Sequence, residues 1–249
     1  MIPQGCERSQ MMPKYNVKLL KKEKIANDTM AFHWEKPEGY EFKAGQFCDM
    51  TLINPDQTDE DGNVRTFSLA YAPYEKDLVT ATRMRDSAFK RELQDMPEGT
   101  EVKLDSALGD FTLHKTETTP AVFIIGGIGI TPVRSMIAQA THDKLPHDIT
   151  LLFSNTTPAD APFMSDLEGF AEENSNFTFV PVITDAKPDE WNGESGYIDE
   201  EMLRRHVSDV NGPIYYLSGP AGMVKDMYQM LVDAGVNEDN IKAEEFSGY

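Results

Sequence analysis

Two glycine-bearing stretches have the residue types and placement to hold a phosphate-bearing ligand. The first, Ile125-Gly126-Gly127-Ile128-Gly129-Ile130-Thr131-Pro132, sits where an apolar run hands over to a helical pattern. Glycine lets backbone approach a pyrophosphate closely. The helix that follows offers unpaired N–H groups and the positive end of its dipole, and Pro132 suits a first turn. Taken alone, the stretch is equally an ordinary strand–helix turn. It departs from G-x-G-x-x-G, with Pro132 in the third glycine place, and Ser154-Asn155-Thr156 rather than an acidic residue follows the next apolar run. The second stretch, Ser218-Gly219-Pro220-Ala221-Gly222-Met223, repeats the arrangement after Ile214–Leu217. Two glycine loops at strand carboxyl ends in one half of a chain point to a ligand site of the kind open parallel sheets carry.

The elements that must position these loops differ between the halves. In the first half, Val17–Leu20, Thr29–Trp34, Phe47–Ile53, Thr66–Ala70, Val79–Thr82 and Glu101–Leu104 are short and β-rich, separated by Pro, Gly and Asn-Pro signals. This spacing predicts a small antiparallel β-barrel, with one helix over Ser87–Gln94 capped by Asp86 or Ser87. From Ala121 strands and helices alternate: strands at Ala121–Ile125, Ile149–Phe153, Phe177–Val182, Ile214–Leu217 and Ile241–Phe246, and helices at Pro132–Ala140, Phe163–Glu173, Glu200–Val207 and Met223–Ala234. Alternation of this kind predicts an α/β parallel sheet with helices on both faces. The expected division is a lead-in over 1–14, a barrel domain over 15–115 and an α/β domain over 116–249, with Lys115–Thr119 as linker.

Composition narrows the function. The chain has 249 residues, 40% hydrophobic, enough for a packed core. No apolar run approaches the ~18–20 residues of a membrane span, and Met1–Lys14 lacks the apolar middle of a secretory signal; a cytoplasmic protein is expected. Its two cysteines, Cys6 and Cys48, form neither a disulfide framework nor an iron–sulfur run, so no metal site is expected. A formal charge of −19 repels nucleic acid and anionic membranes. Local basic groups remain, notably Arg83, Arg85, Lys90 and Arg91, which suit either ligand phosphates or an acidic partner.

Four segments in order then carry a resemblance: Arg65-Thr66-Phe67-Ser68, Gly109-Asp110-Phe111-Thr112, the Gly126–Pro132 loop, and Ser218-Gly219-Pro220-x-x-Met223. From about Tyr15 to Tyr249 the chain resembles the ferredoxin–NADP reductase superfamily. The resemblance implies FAD in the barrel and NADH or NADPH in the α/β half. By it, Arg65 pairs with the FAD pyrophosphate, for which a bidentate guanidinium is suited. Thr66 and Phe67 lie against the flavin, Phe67 standing where a tyrosine is usual. Ser68 is the hydroxyl near flavin N5, and Ser87, Ala88 and Phe89 offer helix N–H groups to the pyrophosphate, with Arg83 nearby. Gly109 and Phe111 are implied to be cofactor-binding. Gly127, Gly129, Thr131, Pro132, Gly219, Pro220 and Met223 belong to the nucleotide side, and Ser218 stands where cysteine is frequent beside the nicotinamide. The tail Glu245-Phe246-Ser247-Gly248-Tyr249 resembles the family's aromatic termini, so Tyr249 is expected over the flavin, with Glu244 or Glu245 relaying a proton and Glu245 placed in the catalytic set.

NADH is the expected donor, with NADPH as the alternative. A 2′-phosphate needs cations, yet Asn155-Thr156-Thr157 follows the second strand of this half and Thr184-Asp185 the third. Asp185 repels a 2′-phosphate and suits ribose hydroxyls; Lys187 is the contrary feature. The resulting expectation is an FAD-dependent NAD(P)H oxidoreductase passing electrons to a separate carrier protein such as ferredoxin. Two alternatives stand beside it: a reductase of free flavin, quinone or ferric chelates, and a non-catalytic flavin-nucleotide-binding subunit.

Overall fold

The computed structural model describes residues 13–187 and 191–246. The first half forms β1 (Lys14–Ala26), β2 (Thr29–Trp34), β3 (Phe47–Leu52), β4 (Val64–Ser68), β5 (Leu78–Arg83), helix α1 (Ala88–Asp95) and β6 (Glu101–Asp105). These strands make one antiparallel sheet in the order β4-β3-β6-β1-β2-β5. The sheet curls until its edges meet, where the Ala70 N–H just beyond β4 donates to the Val79 carbonyl of β5 at 2.8 Å. Its interior is filled by Val17, Leu19, Phe32, Trp34, Met50, Leu78 and Leu104, closed over by Phe89 and Leu93 of α1. Strand β1 runs well past the four residues that apolar alternation marks. Its first part pairs with β6 and its second with β2, and the Lys21–Lys24 stretch of the second part is polar throughout. Hydrophobic periodicity carries no signal there.

The second half forms β7 (Ala121–Gly126), α2 (Ile130–His142), β8 (Ile149–Asn155), α3 (Met164–Glu173), β9 (Phe177–Ile183), a two-residue β10 (Glu194–Ser195), α4 (Glu200–His206), β11 (Ile214–Pro220), α5 (Ala221–Asp233) and β12 (Ile241–Phe246). All pairs are parallel, in the order β10-β9-β8-β7-β11-β12. Every residue of β7 is buried, as expected of a strand covered on both faces. Strand order reverses between β7 and β11. The crevice beyond their carboxyl ends is therefore the topological switch point, where open α/β sheets bind ligands. Both glycine loops lie there.

The halves are joined by more than a linker. One continuous apolar cluster runs from Ala31, Ala70, Val79 and Ala81 of the barrel into Phe123, Ile128 and Met136 of the α/β half. At its edge Arg134 of α2, only 4% exposed, pairs with Glu75 from the barrel side and with Asp166 of α3. The same guanidinium stands 4.1 Å above the Tyr71 ring. Among the described residues no helix is long and apolar enough to cross a membrane, and no cluster of ligating side chains is arranged for a metal ion. Cys48 is buried in the barrel, which pushes its thiol up to about 12. Cys6 lies outside the described residues.

Candidate active site

A cavity of about 770 Å³ opens where the barrel faces the second sheet. Four consecutive β4 residues, Arg65 to Ser68, line it, together with Arg83 at the end of β5, Arg85, and Ser87, Phe89 and Lys90 around the start of α1. Local sequence fixes these positions. Ser87 caps α1, its hydroxyl accepting from the Lys90 N–H. Phe67 packs on Phe89 at 5.9 Å between ring centres. The Thr66 hydroxyl donates to the Asp49 carboxylate across the β3–β4 pair. The wall thus mixes cations and the start of a helix with aromatic rings, hydroxyls and the carboxylates of Asp49, Asp61 and Asp86. Burial pushes the Lys90 ammonium down, and the neighbouring Arg85 and Arg65 push it further. An anion placed there would favour the charged ammonium and so oppose both shifts. The donor set therefore fits a ligand that joins phosphate to a flat ring.

Two residues from the second half complete this cavity: Ile128 of the first glycine loop and Phe246 at the end of β12. Neither is among the residues that the sequence pattern marks for the flavin side. Phe246 was legible as an aromatic in the tail. Tyr249, the aromatic expected to do this work, lies outside the described residues.

A second cavity, about 660 Å³, occupies the switch point. Gly127, Thr184, Pro220 and Met223 line it, with Asn155, Tyr197 and Asp226. Asn155 is 4% exposed, and neither its amide oxygen nor its nitrogen has a partner. A buried amide left this way costs stability unless something else satisfies it. Tyr197 stands at the rim, 85% exposed. Hydropathy flags neither Asn155 nor Tyr197, because one is a polar residue at a strand end and the other lies in a loop. Arg83 lines both large cavities, so the two sites meet at one side chain.

The glycines act differently from what their motif suggests. Gly127 has φ +50 and forms the turn itself. A Cβ on Gly129 would lie 2.7 Å from the backbone of Ser218 and Gly219. The space that a side chain on Gly129 would need is filled by the second glycine loop. Thr131 and Pro132 are buried behind the wall, the Thr131 hydroxyl donating to the Ile128 carbonyl. Asp185 is exposed beside the second cavity, and its N–H donates to Thr156.

Gly109, Phe111, Ser218 and Glu244 lie outside the linings of the two larger cavities. Gly109 and Phe111 line a third, smaller cavity of about 420 Å³, shared with Phe47, Asp110, Lys242 and Glu244. Ser218 is fully buried on β11 with an unpartnered hydroxyl, in register with Ile125 and Glu244. Alternation along β12 turns Glu245 to solvent and Glu244 inward. Burial, with some help from Asp110, pushes the Glu244 carboxyl up to about 7. Glu244, not Glu245, is the carboxylate aimed at the interior.

Comparison with known proteins fits this arrangement. Residues 123–229 match the model of the oxidoreductase NAD-binding domain. A ferredoxin NADP+ reductase from Neisseria gonorrhoeae, solved with bound FAD and NADP, is 25% identical. It superposes with a TM-score of 0.77 over 93% of this chain and 98% of its own. Over nearly its whole length the chain is thus similar in fold to a ferredoxin NADP+ reductase. Among curated proteins, reductase component 1 of terephthalate 1,2-dioxygenase from Comamonas sp is 24% identical over 208 residues, 83% of this chain and 60% of that protein. One component of the Na(+)-translocating NADH-quinone reductase of Idiomarina loihiensis is 27% identical over 206 residues, 74% of this chain and 49% of that protein. The chain thus matches about half to three-fifths of the length of these two curated relatives.

Proposed function

We propose that the chain is a reductase unit that binds FAD in the first cavity and NADH in the second, and passes electrons to a separate carrier protein. The observation that carries this reading is the meeting of the two cavities at Arg83, with Ile128 and Phe246 from the nucleotide-side half closing the flavin-side cavity. Two ligands seated there lie next to each other, which is the placement that a transfer between them needs. Similarity to reductases whose names specify a dioxygenase, a quinone reductase and a ferredoxin reductase supports the same class.

FAD held there would supply a group able to accept hydride from reduced nicotinamide and to give up electrons singly. The protein's own residues do the rest. Arg65, Arg83, Arg85, Lys90 and the first N–H groups of α1 hold phosphate charge. Phe67 supplies a ring face, and Ser68 a hydroxyl for the flavin. Phe246 and Ile128 keep water from that wall. Asn155 gives its unpartnered amide to the nucleotide. Ser218 offers an unpartnered hydroxyl between Ile125 and Glu244, and Glu244 holds a proton near neutrality. We place the boundary between the halves at residues 115 and 116, in the segment joining β6 to β7. NADH is the preferred donor, because Thr156, Thr184 and Asp226 line the second cavity, where among the described residues the one lining cation, Arg83, is shared with the first cavity.

The test is an anaerobic acceptor screen with FAD-loaded protein, NADH and NADPH being supplied in parallel. Reduction of ferredoxin or a haem protein at low enzyme concentration is the expected result. Turnover confined to free flavin, quinone or ferric chelates would replace the carrier protein with a small-molecule acceptor.

A further inference from the structure

We propose that Asp59 sets how tightly the flavin phosphates are held, because its carboxylate already occupies the cradle that they need. This rests on the flavin reading above. One Asp59 oxygen accepts from Arg65 Nη2 at 2.9 Å, and the other accepts from the Ala88 N–H, at the start of α1, at 3.2 Å. These are one guanidinium donor and one helix-terminal donor, the pair that two oxygens of a phosphate would take. Arg65 has little left to offer: its Nη1 donates to the carbonyls of Asp61, Gly62 and Val64. Desolvation pushes the Asp59 carboxyl up, but the Arg65 bond and charge and the N–H groups of Ala88 and Asp61 outweigh it, so the group is held below its ordinary value. It stands in the cradle as an anion, and a phosphate and a carboxylate of like charge do not share one set of donors.

The segment that brings Asp59 there is anchored. Residues 53–63 join β3 to β4 and fold back against α1. The Glu92 carboxylate accepts from the N–H groups of Asp56 and Gln57. Arg91 Nε donates to the Gln57 side chain. At the segment's base the Leu52 N–H donates to the Asn63 carbonyl, and the Asn63 amide donates back to the Leu52 carbonyl. Glu92 and Arg91 sit on the helix whose first N–H the carboxylate takes, so the segment is pinned to the same element from two sides. Phosphate binding has to move Asp59 off Arg65 and Ala88, and the energy of that displacement is subtracted from flavin affinity.

Titration of FAD and of riboflavin, which lacks phosphate, into wild-type protein and Asp59→Asn tests this. The variant removes the charge and keeps the shape. The expected result is FAD affinity raised about two- to tenfold, the range of a partly exposed ion pair, with riboflavin affinity unchanged. Glu92→Gln, which loosens the segment without touching the cradle, is expected to shift FAD affinity in the same direction by less; it carries the test if Asp59→Asn does not fold. FAD binding by Asp59→Asn where wild type holds none supports the proposal as well. Unchanged or weaker FAD binding in the folded variant overturns it and makes Asp59 a positioning residue for Arg65. An equal change for riboflavin also overturns it. If neither protein holds FAD or FMN, the flavin reading itself fails and takes this inference with it, a result distinct from measurable but unimproved binding.

Discussion

Ser68 is buried at the first cavity beside Phe67, in a wall of cations, carboxylates, hydroxyls and rings. Ser68→Ala should keep its FAD and lose about a hundred- to a thousandfold in the rate of flavin reduction by NADH, the scale of one lost donor at a reacting centre. Stopped-flow rates equal to wild type would remove Ser68 from the chemistry. Glu244 makes a prediction about pH. Its carboxyl ionises near 7 in the folded chain, against an ordinary 4.5. Between those values the unfolded chain releases a proton that the folded chain keeps. Stability therefore falls as pH rises through this window and levels off above it. Glu244→Gln should flatten the decline and gain about 1–2 kcal/mol over wild type above about pH 8, after discounting for partial exposure. Urea unfolding across pH measures this, and parallel curves for the two proteins would contradict it. The Arg65–Ser68 and Ser218–Met223 stretches were legible as site residues because their types are unusual together. Asn155 was not, since its importance lies in having no partner, a fact that only packing reveals.

At the scale of elements, α2 does two jobs. Its first turn backs the glycine loop, and its Arg134 ties three elements together through Glu75, Asp166 and the Tyr71 ring. Removing one member of a buried pair leaves the others charged and unsatisfied. Arg134→Ala should cost about 3–5 kcal/mol, toward the lower end because Asp166 is partly exposed, measured by denaturant unfolding. A loss below about 1 kcal/mol would show the cluster to be solvated. Gly129→Ala drives a methyl into the Ser218–Gly219 backbone. It should cost about 1–3 kcal/mol and weaken nucleotide binding, because both glycine loops must shift. Most strands and helices were legible to within a few residues, since each buries a clear apolar stripe. The exceptions have physical causes. The polar second part of β1 carries no hydrophobic period, and β10 is only two residues long. α2 and α5 start two residues before the expected points because their first turns are built from the glycine-loop residues themselves. The glycine motif suggested backbone close to a ligand, whereas Gly129 brings backbone close to backbone.

At the scale of the whole molecule, two sheets of unlike design share one apolar seam and present two cavities that meet at Arg83. The basic residues stand out against a chain of formal charge −19. Arg65, Arg83, Arg85 and Lys90 line the first cavity, and Arg91 pairs with Asp86. The four on the cavity stand where the proposed reading puts the flavin phosphates. The nucleotide-side cavity counts Asp226 among its lining residues and has Asp185 nearby. kcat/KM should therefore be at least about tenfold higher with NADH than with NADPH, the cost of a poorly paired 2′-phosphate; a preference for NADPH would reverse the assignment. The most direct measurement for the account as a whole is anaerobic mixing of FAD-loaded protein with NADH while the visible flavin absorbance is followed. Rapid bleaching is the predicted result. Folded protein that binds NADH yet stays yellow would contradict the account.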